Sequence, residues 1–184
     1  MKEKYELRLS GAGGQGLMLA GLILAEAAGI YDGKNVVQTQ SYGPEARGGA
    51  SKSEVVISEE EIDYPKVINP DILLALTQVA CDKYYPELKE RGVLIVDSFY
   101  VKKLPPHKEV VSVPITSTAE KEVGRKVAAN IVALGIITEF TGVVSKEAIK
   151  KAVLSRVPKG TEEMNEKALE VGFRIGREER KHLS

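Results

Sequence analysis

One cysteine and two histidines are all the sulfur and imidazole ligands that these 184 residues offer. A lone Cys81 closes no disulfide within the chain and cannot ligate a four-cysteine iron–sulfur cluster or a structural zinc. His107 follows Pro105-Pro106 and His182 lies in the basic C-terminal stretch, neither at metal spacing from a second ligand. Burial habits place Cys81 on a helix in or near the core and leave both histidines solvated. An excess of either charge is also missing, since 26 basic residues balance 26 acidic ones. That balance argues against a nucleic-acid or membrane surface. The apolar stretch 17–28 is broken by Gly21 and Glu26 and is too short to span a bilayer. With no basic leader and cleavage site before it, it does not read as a secretory signal, and the expected location is cytoplasmic.

What is present fits an ordinary globular chain, 43% hydrophobic and 28% charged, of a length suited to one domain over residues 1–184. Residues 4–10 alternate as a strand, a small-residue helix follows to about Ala28 where Gly29 stops it, and residues 35–40 form a second strand, together a βαβ unit. Residues 51–58 alternate again. Only about ten residues connect this strand to the previous one, fewer than a parallel crossover needs, so it is expected to be antiparallel. Further strands are predicted at 71–76, 93–96 and 110–113, with a helix over 79–90. Ser117-Thr-Ala-Glu120 has capping-box spacing and opens a long helical region to Phe140, with Gly124 as a break. Ser145 caps a short helix ending before Pro158. Thr161 opens a last one with Met164, Ala168, Val171 and Ile175 on one face, and residues 176–184 read as a basic, frayed tail. The pattern is that of an α/β class chain, a three-layer α/β/α sandwich on a mixed, mostly parallel sheet.

Two loops carry the candidate chemistry. Gly11-x-Gly13-x-x-Gly16 has dinucleotide-loop spacing between strand and helix. Such a turn brings backbone N–H groups up to an anion, and the helix start adds partial positive charge. The acidic residue expected roughly 20 positions on, at the end of the second strand, is missing. Gln38-Thr-Gln40 stands there, and the Gly-Lys-Ser/Thr ending of a triphosphate loop is also absent. The alternative is that these glycines serve only a tight turn and close helix–sheet packing. Gln15, a polar amide opening an apolar helix, favours a ligand or partner. Phosphate, carboxylate or thioester oxygens would suit the loop.

The second loop is Tyr42-Gly-Pro-Glu-Ala-Arg-Gly-Gly49, where Gly43-Pro44 and Gly48-Gly49 are turn residues. Arg47 can grip a carboxylate or phosphate through two parallel hydrogen bonds. Pairing Arg47 with Glu45 to stiffen an exposed loop is the structural alternative. Following the second strand, this loop is expected on the same sheet edge as the first.

Gly11-Ala-Gly-Gly-Gln-Gly16 followed by Ser41-Tyr-Gly-Pro-Glu-Ala-Arg-Gly-Gly49 resembles the γ subunit of 2-oxoacid:ferredoxin oxidoreductases. The resemblance extends through Ser51–Ser58, Pro70-Asp-Ile-Leu-Leu74, the run from Gly124 to Gly135, and Val157-Pro-Lys-Gly-Thr161. The second loop looks more like the 2-oxoglutarate branch (2-oxoglutarate synthase) than the pyruvate branch. The resemblance implies a subunit inactive alone, working with α, β and ferredoxin-like δ subunits. Those partners would carry thiamine diphosphate, magnesium and [4Fe-4S] clusters, pass electrons to ferredoxin, and transfer the acyl group to coenzyme A. This chain has no Gly-Asp-Gly run of a thiamine diphosphate magnesium site, since Tyr31-Asp-Gly-Lys34 reads as a turn. By analogy Gly11, Gly13, Gly14, Gln15, Gly16, Tyr42, Gly43, Glu45, Arg47, Gly48, Gly49 and Asn130 border the coenzyme A or substrate side of a shared site, none with a catalytic role. The β subunit of indolepyruvate:ferredoxin oxidoreductase and a free-standing Rossmann-type dinucleotide oxidoreductase remain alternatives.

Overall fold

Alternating strand and helix patterns resolve, in a computed structural model describing residues 4–41 and 49–182, into six strands and six α-helices. The strands are β1 (Lys4–Gly11), β2 (Asn35–Ser41), β3 (Ser51–Ser58), β4 (Ile72–Ala75), β5 (Val93–Asp97) and β6 (Val110–Val113). The helices are α1 (Leu17–Glu26), α2 (Gln78–Tyr84), α3 (Ile115–Thr118), α4 (Ala129–Thr141), α5 (Lys146–Arg156) and α6 (Glu162–His182). They form one sheet in the order β2-β3-β1-β4-β5-β6. β3 runs antiparallel to both its neighbours, while β1, β4, β5 and β6 pair in parallel. The short link before β3 therefore predicts its direction correctly, and the mixed, mostly parallel sheet is as expected.

Period-two alternation sends side chains to two cores. Leu7, Leu9, Ile72, Leu74 and Ile95 join α1, α4, α5 and α6 on one face. Leu73, Ala75, Leu94 and Val96 join Ala80, Cys81 and Tyr84 of α2 on the other. Cys81 is buried as expected, its thiol pushed up to about 11 by burial, with Asp82 adding to it. On the first face α4 packs against α6 at glycines: a Cβ on Gly172 would meet the Val132 carbonyl oxygen at 2.2 Å and Gly135 Cα at 2.8 Å.

Several local expectations are corrected. Gly29 does not stop α1. It lies inside a π-helical turn, Ala27–Tyr31, where a larger residue would strike Val36. α2 ends at Tyr84, earlier than the predicted 90, because Pro86 allows only a 3₁₀ turn over Tyr85–Glu87. Ser117 and Glu120 form no capping box. α3 starts at Ile115, so Ser117 is already helical, and a neighbouring strand supplies the cap described below. The break at Gly124 holds, with φ 85°. So does the Ser145 cap, whose Oγ accepts from Ala148 N. In the stretch expected to be a frayed tail from 176, α6 continues as far as His182, with Ile175 and Gly176 buried and the residues after them largely exposed. His107 is not fully solvated. It sits edge-on to Tyr85, with Nε2 2.7 Å from the Gly92 carbonyl oxygen. Among the described residues no helix is long and apolar enough to cross a membrane.

Candidate functional site

The parallel strands set the location. β1 leads through α1 to β2 on one side, whereas β4 leads through α2 to β5 on the other, from opposite faces of the sheet. Adjacent strands whose connections diverge leave a crevice at their carboxyl ends, where α/β folds receive ligands. That crevice is present between β1 and β4. It is a cleft of about 250 Å³ lined by Gly14 and Gln15 after β1, Leu76 after β4, Tyr100 after β5, and Thr116 after β6. Lys126 and Val127 close its remaining side.

The glycine loop is built from its own residues. Gln15 N bonds back to the Ala12 carbonyl at 3.4 Å, and Gly14, third residue of this turn, has φ 83°, the sign a type II turn requires there. Among the described residues a Cβ on Gly14 would meet nothing within 4 Å, so they leave the tip of the loop open. Gly13 keeps negative φ, and Gly16 takes the N-cap position of α1 with φ 72° and no side chain of its own to cap the first turn. Gln15 turns its amide oxygen inward and accepts from Ala12 N at 2.7 Å, so that end of the side chain braces the turn. Gly11 lies under this brace, where a Cβ would come within 2.3 Å of the same oxygen.

Asn130 belongs to the support of the loop. Buried at the start of α4, it donates through Nδ2 to the Gly16 carbonyl at 3.2 Å, and its Oδ1 accepts from Ile131 N at 2.9 Å. It borders a second, more apolar groove of about 340 Å³ with Leu19, Val157 and Met164, separated from the first by the exposed Val127. Tyr42, Gly43, Glu45, Arg47 and Gly48 lie outside the described residues. The ends of that segment are placed: Ser41 pairs with Lys52, and Ser51 with Gly11, so both ends leave the sheet on the edge carrying the glycine loop. Gly49 is half-buried beside the buried Ala50, whose carbonyl accepts from Tyr84 Oη at 3.3 Å.

Sequence reasoning missed Leu76, Tyr100, Thr116, Lys126 and the carboxylate behind them, Asp97. Lys126 lies in the stretch that carries the resemblance, and its Nζ is 3.5 Å from Glu120 in an exposed ion pair, a weak restraint on a cation beside the cleft. The others carry no local signal, because they converge only through strand order.

Comparison with known proteins gives the family. Residues 6–175 match the pyruvate ferredoxin/flavodoxin oxidoreductase family. The 2-oxoglutarate synthase subunit KorC of Methanocaldococcus jannaschii is 54% identical over 181 residues, covering 97% of each chain. The keto/oxoacid ferredoxin oxidoreductase γ subunit of Geobacter sulfurreducens superposes with a TM-score of 0.87 at 60% identity, covering 95% of this chain and 99% of that one. A 2-oxoglutarate:ferredoxin oxidoreductase from Magnetococcus marinus, solved with 2-oxoglutarate, coenzyme A and succinyl-CoA bound, shares the fold at 21% identity and a TM-score of 0.82. The alignment covers 97% of this chain and 32% of that longer one. The chain belongs to the pyruvate ferredoxin/flavodoxin oxidoreductase family, as a γ-type subunit of an oxoacid:ferredoxin oxidoreductase.

Proposed function

We propose that this subunit serves a 2-oxoglutarate:ferredoxin oxidoreductase and that its cleft receives coenzyme A, the acceptor of the acyl group. The choice of oxoacid is supported by the M. jannaschii relative. The observation that carries the cleft reading is the Gly14 turn, open among the described residues, beside the glycine N-cap of α1, at the crevice between β1 and β4. Backbone N–H groups and the helix start favour phosphate oxygens there, with Lys126 at the rim as a movable positive charge. Tyr100 and Val127 offer apolar surface for the uncharged part of the ligand. Gln15 and Asn130 keep the turn in shape, and Arg47, in the segment between Ser41 and Ser51, adds a second grip on an anion.

When bound to partner subunits, thiamine diphosphate with magnesium and [4Fe-4S] clusters supply decarboxylation and electron transfer to ferredoxin. This chain's own residues bind and orient the acceptor and have no redox part. The α, β and ferredoxin-like δ chains complete the enzyme, a cytoplasmic complex in this reading.

The test uses the assembled complex with 2-oxoglutarate, coenzyme A and a viologen dye. Gly14→Asp tolerates the left-handed backbone but sets a carboxylate against the phosphates. Losing about 1.4 kcal/mol or more of binding corresponds to at least a tenfold rise in the coenzyme A KM. The 2-oxoglutarate KM is expected to stay within about twofold. An unchanged coenzyme A KM removes the cleft from the coenzyme A path.

A further inference from the structure

We infer that Asp97 is a positioning residue for the acceptor cleft, setting the spacing of its two far walls without touching the ligand; this rests on the coenzyme A reading above. Asp97 ends β5, beside the β4 end that supplies Leu76, and its side chain is fully buried. Oδ1 accepts from Phe99 N at 3.0 Å, and Oδ2 accepts from Thr116 N at 3.0 Å and from Thr116 Oγ1. Its main-chain oxygen accepts from Tyr100 N at 3.0 Å and Val101 N at 2.9 Å. Two separate loops thus converge on one residue. One carries Tyr100 into the cleft and the other Thr116.

The last sheet rung between these loops is Ser98 N to the Val113 carbonyl at 2.9 Å. Beyond it the carboxylate holds the loop after β5 to the first turn of α3. A buried carboxylate is tolerated when donors satisfy it, and here three donors share its two oxygens. The same contacts cap α3, which lacks a side-chain cap of its own. A purely structural cap would change stability alone. A positioning residue also changes affinity for whatever sits between Tyr100 and Thr116.

Asp97→Asn separates the two. The amide keeps the size of the side chain but turns a donor toward either Phe99 N–H or Thr116 N–H, so one wall loses its anchor whichever way it rotates. In the assembled complex the coenzyme A KM is expected to rise about tenfold, the loss of roughly one charge-assisted hydrogen bond. The 2-oxoglutarate KM and kcat at saturating coenzyme A should stay within about twofold. A wild-type coenzyme A KM in Asp97→Asn, alongside a raised one in Gly14→Asp, overturns this inference and leaves the cleft standing. Unchanged values in both overturn the cleft reading and this inference together. If Asp97→Asn fails to assemble, Thr116→Val takes its place with deuterium uptake as a second readout. A raised KM with faster exchange in residues 98–101, which that change does not touch, supports the inference, and wild-type exchange there overturns it.

Discussion

Replacing Gly172 by alanine tests the packing that holds α4, and with it the support of the glycine loop. In an open helix this change gains about 1 kcal/mol, because alanine is the better helix former. Here the sign reverses. A Cβ at Gly172 would lie 2.2 Å from the Val132 carbonyl oxygen and 2.8 Å from Gly135 Cα, both backbone atoms of α4. An ordinary carbon–oxygen contact is about 3.3–3.6 Å, so the helices must part by roughly 1 Å. No rotamer can absorb that, because no side chain is in the way. Overpacking costs about 1–3 kcal/mol, and a clash with backbone belongs at the upper end. Setting about 3 against about 1 leaves a net loss of about 2 kcal/mol. For a chain of this size that lowers Tm by about 4–8 °C. Circular-dichroism melting measures it, and a Tm at or above wild type refutes the close-packing argument.

Arg47→Ala should leave assembly intact and reduce coenzyme A or oxoacid efficiency of the complex by about 30- to 1000-fold if the guanidinium grips an anion, with Arg47→Lys rescuing partly. Wild-type kinetics after gel filtration confirms assembly would reduce the residue to loop structure. Glu26 gives the pH prediction. Burial raises its pKa, but hydrogen bonds from Ser155, Arg156 and Tyr31 and the charge of Arg156 together hold it below the usual value. Its contribution to stability is therefore present above the ordinary glutamate pKa and is lost as pH falls through the lowered one. Glu26→Gln should flatten the acid limb of a Tm-versus-pH curve, and an unaltered limb would contradict the assignment.

Elements whose causes lie within a few residues were legible. Val110–Val113, the Ser145 cap and the Gly124 break each follow from local composition, and β3's direction follows from the length of the link before it. Pro86 is a local signal too, a proline inside an otherwise helical pattern that ends α2. What escaped depended on partners far along the chain. Arg8 stands at a polar position of β1, yet its side chain is 1% exposed. Glu54 and Glu87 accept from it, the Val67 carbonyl is within 3.2 Å, and the Tyr84 ring lies under the guanidinium at 5.1 Å. The α3 cap likewise came from Asp97, 19 residues away from Thr116.

The glycine loop shows how a legible motif can carry the wrong expectation of its surroundings. Its spacing, turn and following helix are those of a dinucleotide loop, and residues 4–40 do form strand, helix and strand. In the dinucleotide arrangement the second strand lies directly beside the first, so that an acidic residue at its end reaches the ribose. Here β3 is wedged between β1 and β2. The end of β2 is thereby moved out to two strand spacings, about 9.5 Å from β1. Gln38 and Gln40 occupy that end, and Gln38 donates to Ser53 Oγ of β3 at 3.0 Å. On the far side of the Tyr42–Gly48 segment Ser51 pairs with Gly11, while on its near side Ser41 stays one strand further out, against Lys52. Thus the strand that removes the ribose contact also sets Ser41 and Ser51, on either side of that segment, at the sheet edge that carries the glycine turn. Strand order and sequence thus agree at this end of β2: the strand is too far out to reach a ribose, and Gln38 and Gln40 stand where its carboxylate would be, which argues against a ligand held by its sugar hydroxyls.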